Sequence, residues 1–113
     1  MTIKDIATAE HYRWGAGGAG WHLLAREDLS VIEERVPAGD REQRHYHRRA
    51  RQFFYILQGA AVIDVDGRRH ELRERQGIEV APGTPHQFKN ESDADVVFLV
   101  ISAPPSHGDR VDL

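Results

Sequence analysis

The chain has 113 residues, enough for one domain with a single modest core and too few for two. It has no cysteine, which excludes a disulfide framework, a zinc ribbon and a thiol nucleophile, so any metal must be held by histidine and oxygen. Its 15 Lys and Arg against 18 Asp and Glu leave a net charge of −3, which gives no electrostatic drive toward nucleic acid. The expected partner is therefore a small molecule. MTIKDIATAEHYRW lacks a charged and apolar leader pattern and no apolar run reaches a membrane span, so the expectation is a cytoplasmic protein without membrane contact.

In chain order, residues 1–20 read as an N-terminal arm and Gly-rich loop, because the glycines from Gly15 to Gly20 disfavour regular structure. Trp14 and Trp21 flank those glycines; anchoring the arm on the core is the expected role of the two rings, and walling a pocket is the alternative. From Trp21 the pattern becomes β: WHLLA, then LSVIEERV, then a loop opening at Pro37-Ala38-Gly39. His22 lies in the first of these runs and is a candidate for the lining of a cavity.

The stretch Gly39 to Gly59, GDREQRHYHRRARQFFYILQG, carries the chemistry. In an extended strand His45 and His47 point to one face while Tyr46 points away, so two imidazoles stand side by side as the start of a metal site. Alternation through FFYIL puts Gln52, Phe54 and Ile56 on a common face, which makes Phe54 a candidate cavity wall. Arg41, Arg44, Arg48, Arg49 and Arg51 surround the histidines, and by parity Arg49 has the best claim to share their face and clamp a carboxylate. The rest of the arginines are expected in solvent.

AAVIDVDGRRHEL reads as a hairpin around Asp66-Gly67, with Asp64 and Asp66 assigned to turn chemistry rather than to a catalytic carboxylate pair. IEVA, HQFK and VVFLVIS supply the last strands, and Asn90 to Asp95 the polar turn before the final one. A third imidazole, His86, begins the strand that follows the turn-forming Pro82, Gly83 and Pro85, and Phe88 shares its parity as a second candidate wall. About eight short strands without a helical period imply an all-β, closed or nearly closed antiparallel barrel or jelly roll, occupying residues 21–103. Residues 104–113 form a C-terminal tail, expected as a surface turn; the functional alternative folds it over the barrel mouth with His107 or Arg110 facing a ligand.

Gly39, His45, His47 and Gly59 stand at the spacings of the first cupin motif, with Gln52 where that family usually has glutamate. Gly83, His86 and Asn90 are similar to the second motif, while Arg75 and Ala81 replace its first glycine and its proline. The chain thus resembles the cupin superfamily. The resemblance implies a double-stranded β-helix barrel, one divalent transition metal (Fe, Mn, Ni, Zn or Cu) and a homodimer paired through exposed strands and exchanged N-terminal segments. It implies His45, His47, Gln52 and His86 as the metal residues. Gln52 is read as a direct ligand, with an outer hydrogen-bonding role or no role as the alternatives.

Three imidazoles and an amide would leave an ion its full 2+ charge, which favours anionic, oxygen-rich ligands and Lewis-acid chemistry. The order His, His, Gln, His resembles the cupins that cyclise unsaturated uronate sugars, so isomerisation or cyclisation of a sugar acid is the best-defined expectation. The alternatives are an iron-dependent dioxygenase and a non-catalytic cupin that senses or binds a metabolite.

Overall fold

The alternation read from the sequence becomes eleven strands in the computed structural model, which describes residues 2–15 and 17–113. They are β1 (Glu10–Trp14), β2 (Gly18–Ala25), β3 (Ser30–Val36), β4 (His45–His47), β5 (Arg51–Gln58), β6 (Ala61–Val65), β7 (Arg68–Leu72), β8 (Gly77–Val80), β9 (His86–Lys89), β10 (Val96–Ala103) and β11 (Arg110–Asp112). One sheet has the order β1-β2-β3-β10-β5-β8, and the other β11-β4-β9-β6-β7. Every pairing is antiparallel. This is the all-β jelly-roll architecture that the pattern of short strands predicts.

Period-two burial explains why these segments are strands. β10 alternates strictly, with Val96, Phe98, Val100 and Ser102 buried and Val97, Leu99 and Ile101 partly exposed. In β5, Gln52, Phe54 and Ile56 are buried, as alternation requires. The inward residues of both sheets meet in one core where Phe88 and Phe98 stack with centroids 4.0 Å apart and Phe54 packs against both. The β6–β7 hairpin turns at Asp66 and Gly67, both with positive φ (50° and 81°), the geometry that matches the twist of paired strands. Asp64 is not part of a catalytic pair; it meets Lys89 at 2.7 Å.

The arm and the tail both enter the sheets, which strand propensity alone does not anticipate. β1 pairs with β2 in the register Tyr12↔Gly20 and Trp14↔Gly18. The glycines are not a break in structure here. A Cβ on Gly20 would overlap the Tyr12 ring, and one on Gly18 the Trp14 ring, so each glycine lets a large ring lie flat on the strand. At the other end Arg110↔His47 and Asp112↔His45 pair β11 onto β4. The tail is thereby an edge strand beside the histidines, held also by the Arg49 and Ala50 N–H groups, which both donate to Asp109 Oδ2 at 2.9 Å.

The turns that resemble family motifs are positioned by backbone bonds. Gly83 N–H donates to the His47 carbonyl at 2.7 Å, tying the turn before β9 to β4. Asn90 is buried; its amide donates to the Val36 and Ala94 carbonyls, and its oxygen accepts from Ser92. Arg75 has φ 68°, so at the place of the motif's first glycine this chain holds a left-handed backbone with a side chain that disfavours it.

Candidate metal centre and ligand cavity

The site lies where the two sheets face each other. β4 and β9 pair through His45↔His86, which sets those imidazoles side by side, and His47 joins them from the same face of β4. Gln52 comes from β5 in the other sheet. The ring centroids are 4.4 Å apart for His45 and His86, 4.9 Å for His45 and His47, and 5.9 Å for His47 and His86. One potential ligand atom from each of the three lies within 4.8 Å of the others, so the three histidines form a group able to hold a metal ion.

Hydrogen bonding orients these donors. The Nδ1 of His45 meets the Gln43 carbonyl at 2.7 Å, and that of His86 meets the Thr84 carbonyl at 2.9 Å; a carbonyl only accepts, so both nitrogens carry the proton. Each ring is left with a lone pair on Nε2, the arrangement that backbone carbonyls impose on metal-binding histidines. Gln52 donates its amide to Ser102 Oγ at 3.1 Å, which turns its oxygen the other way. Gln52 Oε1, His86 Nε2 and His47 Nδ1 are buried without a hydrogen-bond partner among the described residues, an unfavourable arrangement that a ligand or ion would relieve. A divalent ion accepting lone pairs fits this set of three imidazoles and one amide oxygen.

Burial pushes the His45 pKa down to about 4, with the neighbouring His86 adding to the effect, and pushes His47 down to about 4 for the same reasons. His86 is also lowered by burial. All three are therefore neutral at physiological pH and need release no proton to bind a cation.

A cavity of about 310 Å³ opens above His45, His47 and Gln52. Phe54 forms part of its wall, as alternation predicts, and Trp14, Ile32 and Val100 complete the apolar lining. The same lining includes Tyr12 of β1 and Glu34 of β3, from the sheet that carries Gln52, and Glu42 and Arg110, which flank β4 and its histidines. Tyr12 O–H donates to Glu34 Oε1 at 2.8 Å, and Glu42 accepts the Phe88 N–H at 3.1 Å. Burial raises Glu34 to about 7 against the opposing pull of Tyr12 and Arg110. Burial and the neighbouring Glu34 raise Glu42 to about 8, so the pair retains a proton at neutral pH. Tyr12 is raised by burial and by Glu34 and stays protonated.

Among the other residues singled out from the sequence, His107 lines this cavity and a second one beside it, and His22 lines the second. Phe88 is not a cavity wall. It is 1% exposed, sealed into the core behind Phe54 and Phe98. Arg49 is exposed and lines neither cavity, because the bend after β4 turns it outward while its N–H binds Asp109. The arginine at the cavity is Arg110, brought there by β11.

Tyr12, Glu34 and Glu42 are the residues that sequence reasoning missed. Tyr12↔Gly20 and Gly20↔Glu34 are successive partners, so the phenol crosses the glycine to reach the carboxylate. A glycine inside a strand between aromatic residues was the available signal.

Residues 32–102 match the family model described as the Cupin domain. An uncharacterized protein of Methanocaldococcus jannaschii is 32% identical over 81 residues, covering 71% of this chain and 65% of its own length. The chain spans 65%, 50% and 43% of the length of three curated relatives that it matches. The fold is similar to that of KdgF from Halomonas sp., with a TM-score of 0.86 and 17% identity over 95% of this chain and 96% of that one. It is similar also to the polyketide cyclase RemF from Streptomyces resistomycificus, with a TM-score of 0.84 and 16% identity over 100% of this chain and 85% of that one. The family match runs from β3 to β10 and contains both histidine-bearing segments, and on that extent the chain belongs to the cupin domain family.

Proposed function

We propose that the chain is a metal-dependent enzyme that isomerises or cyclises a small, oxygen-rich, carboxylate-bearing metabolite, a sugar acid being the best-defined case. One observation supports this reading above the rest: the His45 and His47 imidazoles and the Gln52 oxygen line the same cavity as Glu34 and Glu42, two carboxyl groups whose pKa burial raises. His45, His47, His86 and Gln52 would hold a divalent ion, which supplies Lewis acidity toward a ligand oxygen without its charge being reduced by a carboxylate ligand. The chain's own residues do the rest. Glu42 as the carboxylic acid donates a hydrogen bond or a proton to ligand oxygen, and Glu34, hydrogen-bonded by Tyr12, is the nearby acceptor. Arg110, whose Nε is held by Asp112 and whose Nη2 reaches the Gln43 carbonyl, keeps further donors for a ligand carboxylate in this cavity. Phe54, Ile32, Val100 and Trp14 exclude water, which strengthens each of these interactions.

The test is elemental analysis of protein purified without an affinity tag or added metal, alongside His86→Ala, followed by NMR assay of unsaturated uronates and keto acids. The expected result is one metal per chain, lost in the variant, with redox-neutral conversion of a sugar acid. Folded His86→Ala that keeps wild-type metal content would refute the centre. Iron with substrate-dependent oxygen uptake would move the reading to a dioxygenase, and tight binding without turnover to a metabolite-binding module.

We also propose a homodimer as the working form. The outer face of β3, β10 and β5 carries Val31, Leu99, Ile101, Phe53 and Tyr55 in adjoining registers, and Phe53 is 39% exposed. A contiguous apolar sheet face of this kind is the type of surface that a second copy covers.

A further inference from the structure

Beside the cavity of the imidazoles lies a second, of about 240 Å³, between the end of β2, the start of β3 and the loop before β11. The two share Ile32, Ser106 and His107 as lining, so they lie side by side. Their electrostatics differ. The first holds Glu34 and Glu42, whereas the second is lined by Arg26, His22 and His107 with no acid among its lining residues. The His22 and His107 rings meet edge to face at 6.3 Å. Arg26 donates only to the carbonyl of its neighbour Ala25, at 3.3 Å, and pairs with no carboxylate among the described residues.

Ser30 is the pointed observation. It lines the second cavity at 6% exposure, and its hydroxyl has no hydrogen-bond partner among the described residues. A buried hydroxyl left unpaired is unfavourable, and Ser30 belongs to the lining of this cavity. A guanidinium, two imidazoles and a hydroxyl around one small space are donors suited to a planar anion.

We propose that this second cavity is a carboxylate-binding subsite that takes the distal acid group of a ligand whose oxygen-rich end lies against His45, His47, Gln52 and His86. The assignment of which end goes where rests on the metal-dependent reading above; the subsite itself needs no metal.

The experiment is NMR titration of the whole chain with sodium acetate, and with acetamide as the neutral isostere, on wild type and on Arg26→Gln. Arg26 is exposed, so the variant keeps the fold. Acetate is expected to give saturable shifts at the His22 and His107 rings and the Ser30 amide, with a dissociation constant in the millimolar range. Acetamide is expected to give none, and Arg26→Gln to weaken acetate about tenfold. Galacturonate and galactose then test the linkage: the acid is expected to bind wild type the more tightly, with that preference lost in Arg26→Gln. Absence of saturable acetate shifts at these residues, or equal response to acetamide, overturns the subsite. A galacturonate preference unchanged in Arg26→Gln overturns the distal placement. A protein that binds acetate at His22, Arg26 and His107 but holds no metal leaves the subsite standing and removes the metal-dependent reading instead.

Discussion

Replacing Gln52 by glutamate should have opposite consequences with and without metal. Gln52 is 5% exposed, and its unpartnered oxygen is the atom we assign to the ion. Without metal, Gln52→Glu puts a carboxyl into a cavity wall where the two existing glutamates are raised from 4.5 to about 7 and about 8. Shifts of that size correspond to about 3 to 5 kcal/mol against the charged form. The unfolded chain ionises near the ordinary glutamate value while the folded chain holds the proton, so stability falls as pH rises through this range. Metal-free Gln52→Glu should therefore lose about 3 kcal/mol at neutral pH, a large part of a typical folding free energy. Near pH 4 it should match wild type. With metal loaded, the carboxylate meets a full 2+ charge, and metal affinity should rise at least about tenfold. Urea denaturation followed by Trp14 and Trp21 fluorescence reads the first effect as a lower midpoint at constant slope, and competition with a chelator reads the second. Equal stability at neutral pH together with equal metal affinity would refute the placement of the Gln52 oxygen.

Other expectations follow from the same geometry. Because Glu42 is raised to about 8, its proton is held by the folded state after the unfolded chain has lost it, and stability declines from the ordinary glutamate range up to that pH; Glu42→Gln should flatten this decline in metal-free protein, and an unchanged pH profile would count against a buried acid. Protonation of His45 and His47, which titrate at about 4, should cost little metal affinity between about pH 7 and pH 5.5; a proton-coupled loss of affinity beginning near 6.5 in calorimetry that persists when Glu34 and Glu42 are both replaced by glutamine would contradict their burial. Phe88→Ala should destabilise by about 3 to 5 kcal/mol in urea denaturation, through loss of its stack with Phe98, without altering ligand binding directly. Phe53→Asp should convert the proposed dimer to a folded monomer in sedimentation equilibrium; a wild type that is monomeric at micromolar concentration would dispose of the dimer.

The sequence by itself determined those features that depend on neighbours along the chain. The period of two put His45 and His47 on one face and Phe54 with Gln52, and Asp66-Gly67 defined a hairpin, because strand pleat and turn conformation are local properties. The spacing of two motifs marked His86 as the third imidazole, although nothing local brings it to β4. Parity failed where local geometry changed or depth mattered. Arg49 turned away at the bend that Asp109 caps, and Phe88, on the same face as His86, lies one layer deeper behind Phe54. Only the tertiary structure decided the rest of the cavity lining. Tyr12, Glu34, Glu42 and Arg110 come from β1, β3, the loop before β4, and β11, and they meet because β1 folds over Gly20 and β11 pairs with β4. Such pairings join segments far apart in sequence, so no short window contains them, and the raised acidities of Glu34 and Glu42 exist only once those segments have closed out the water.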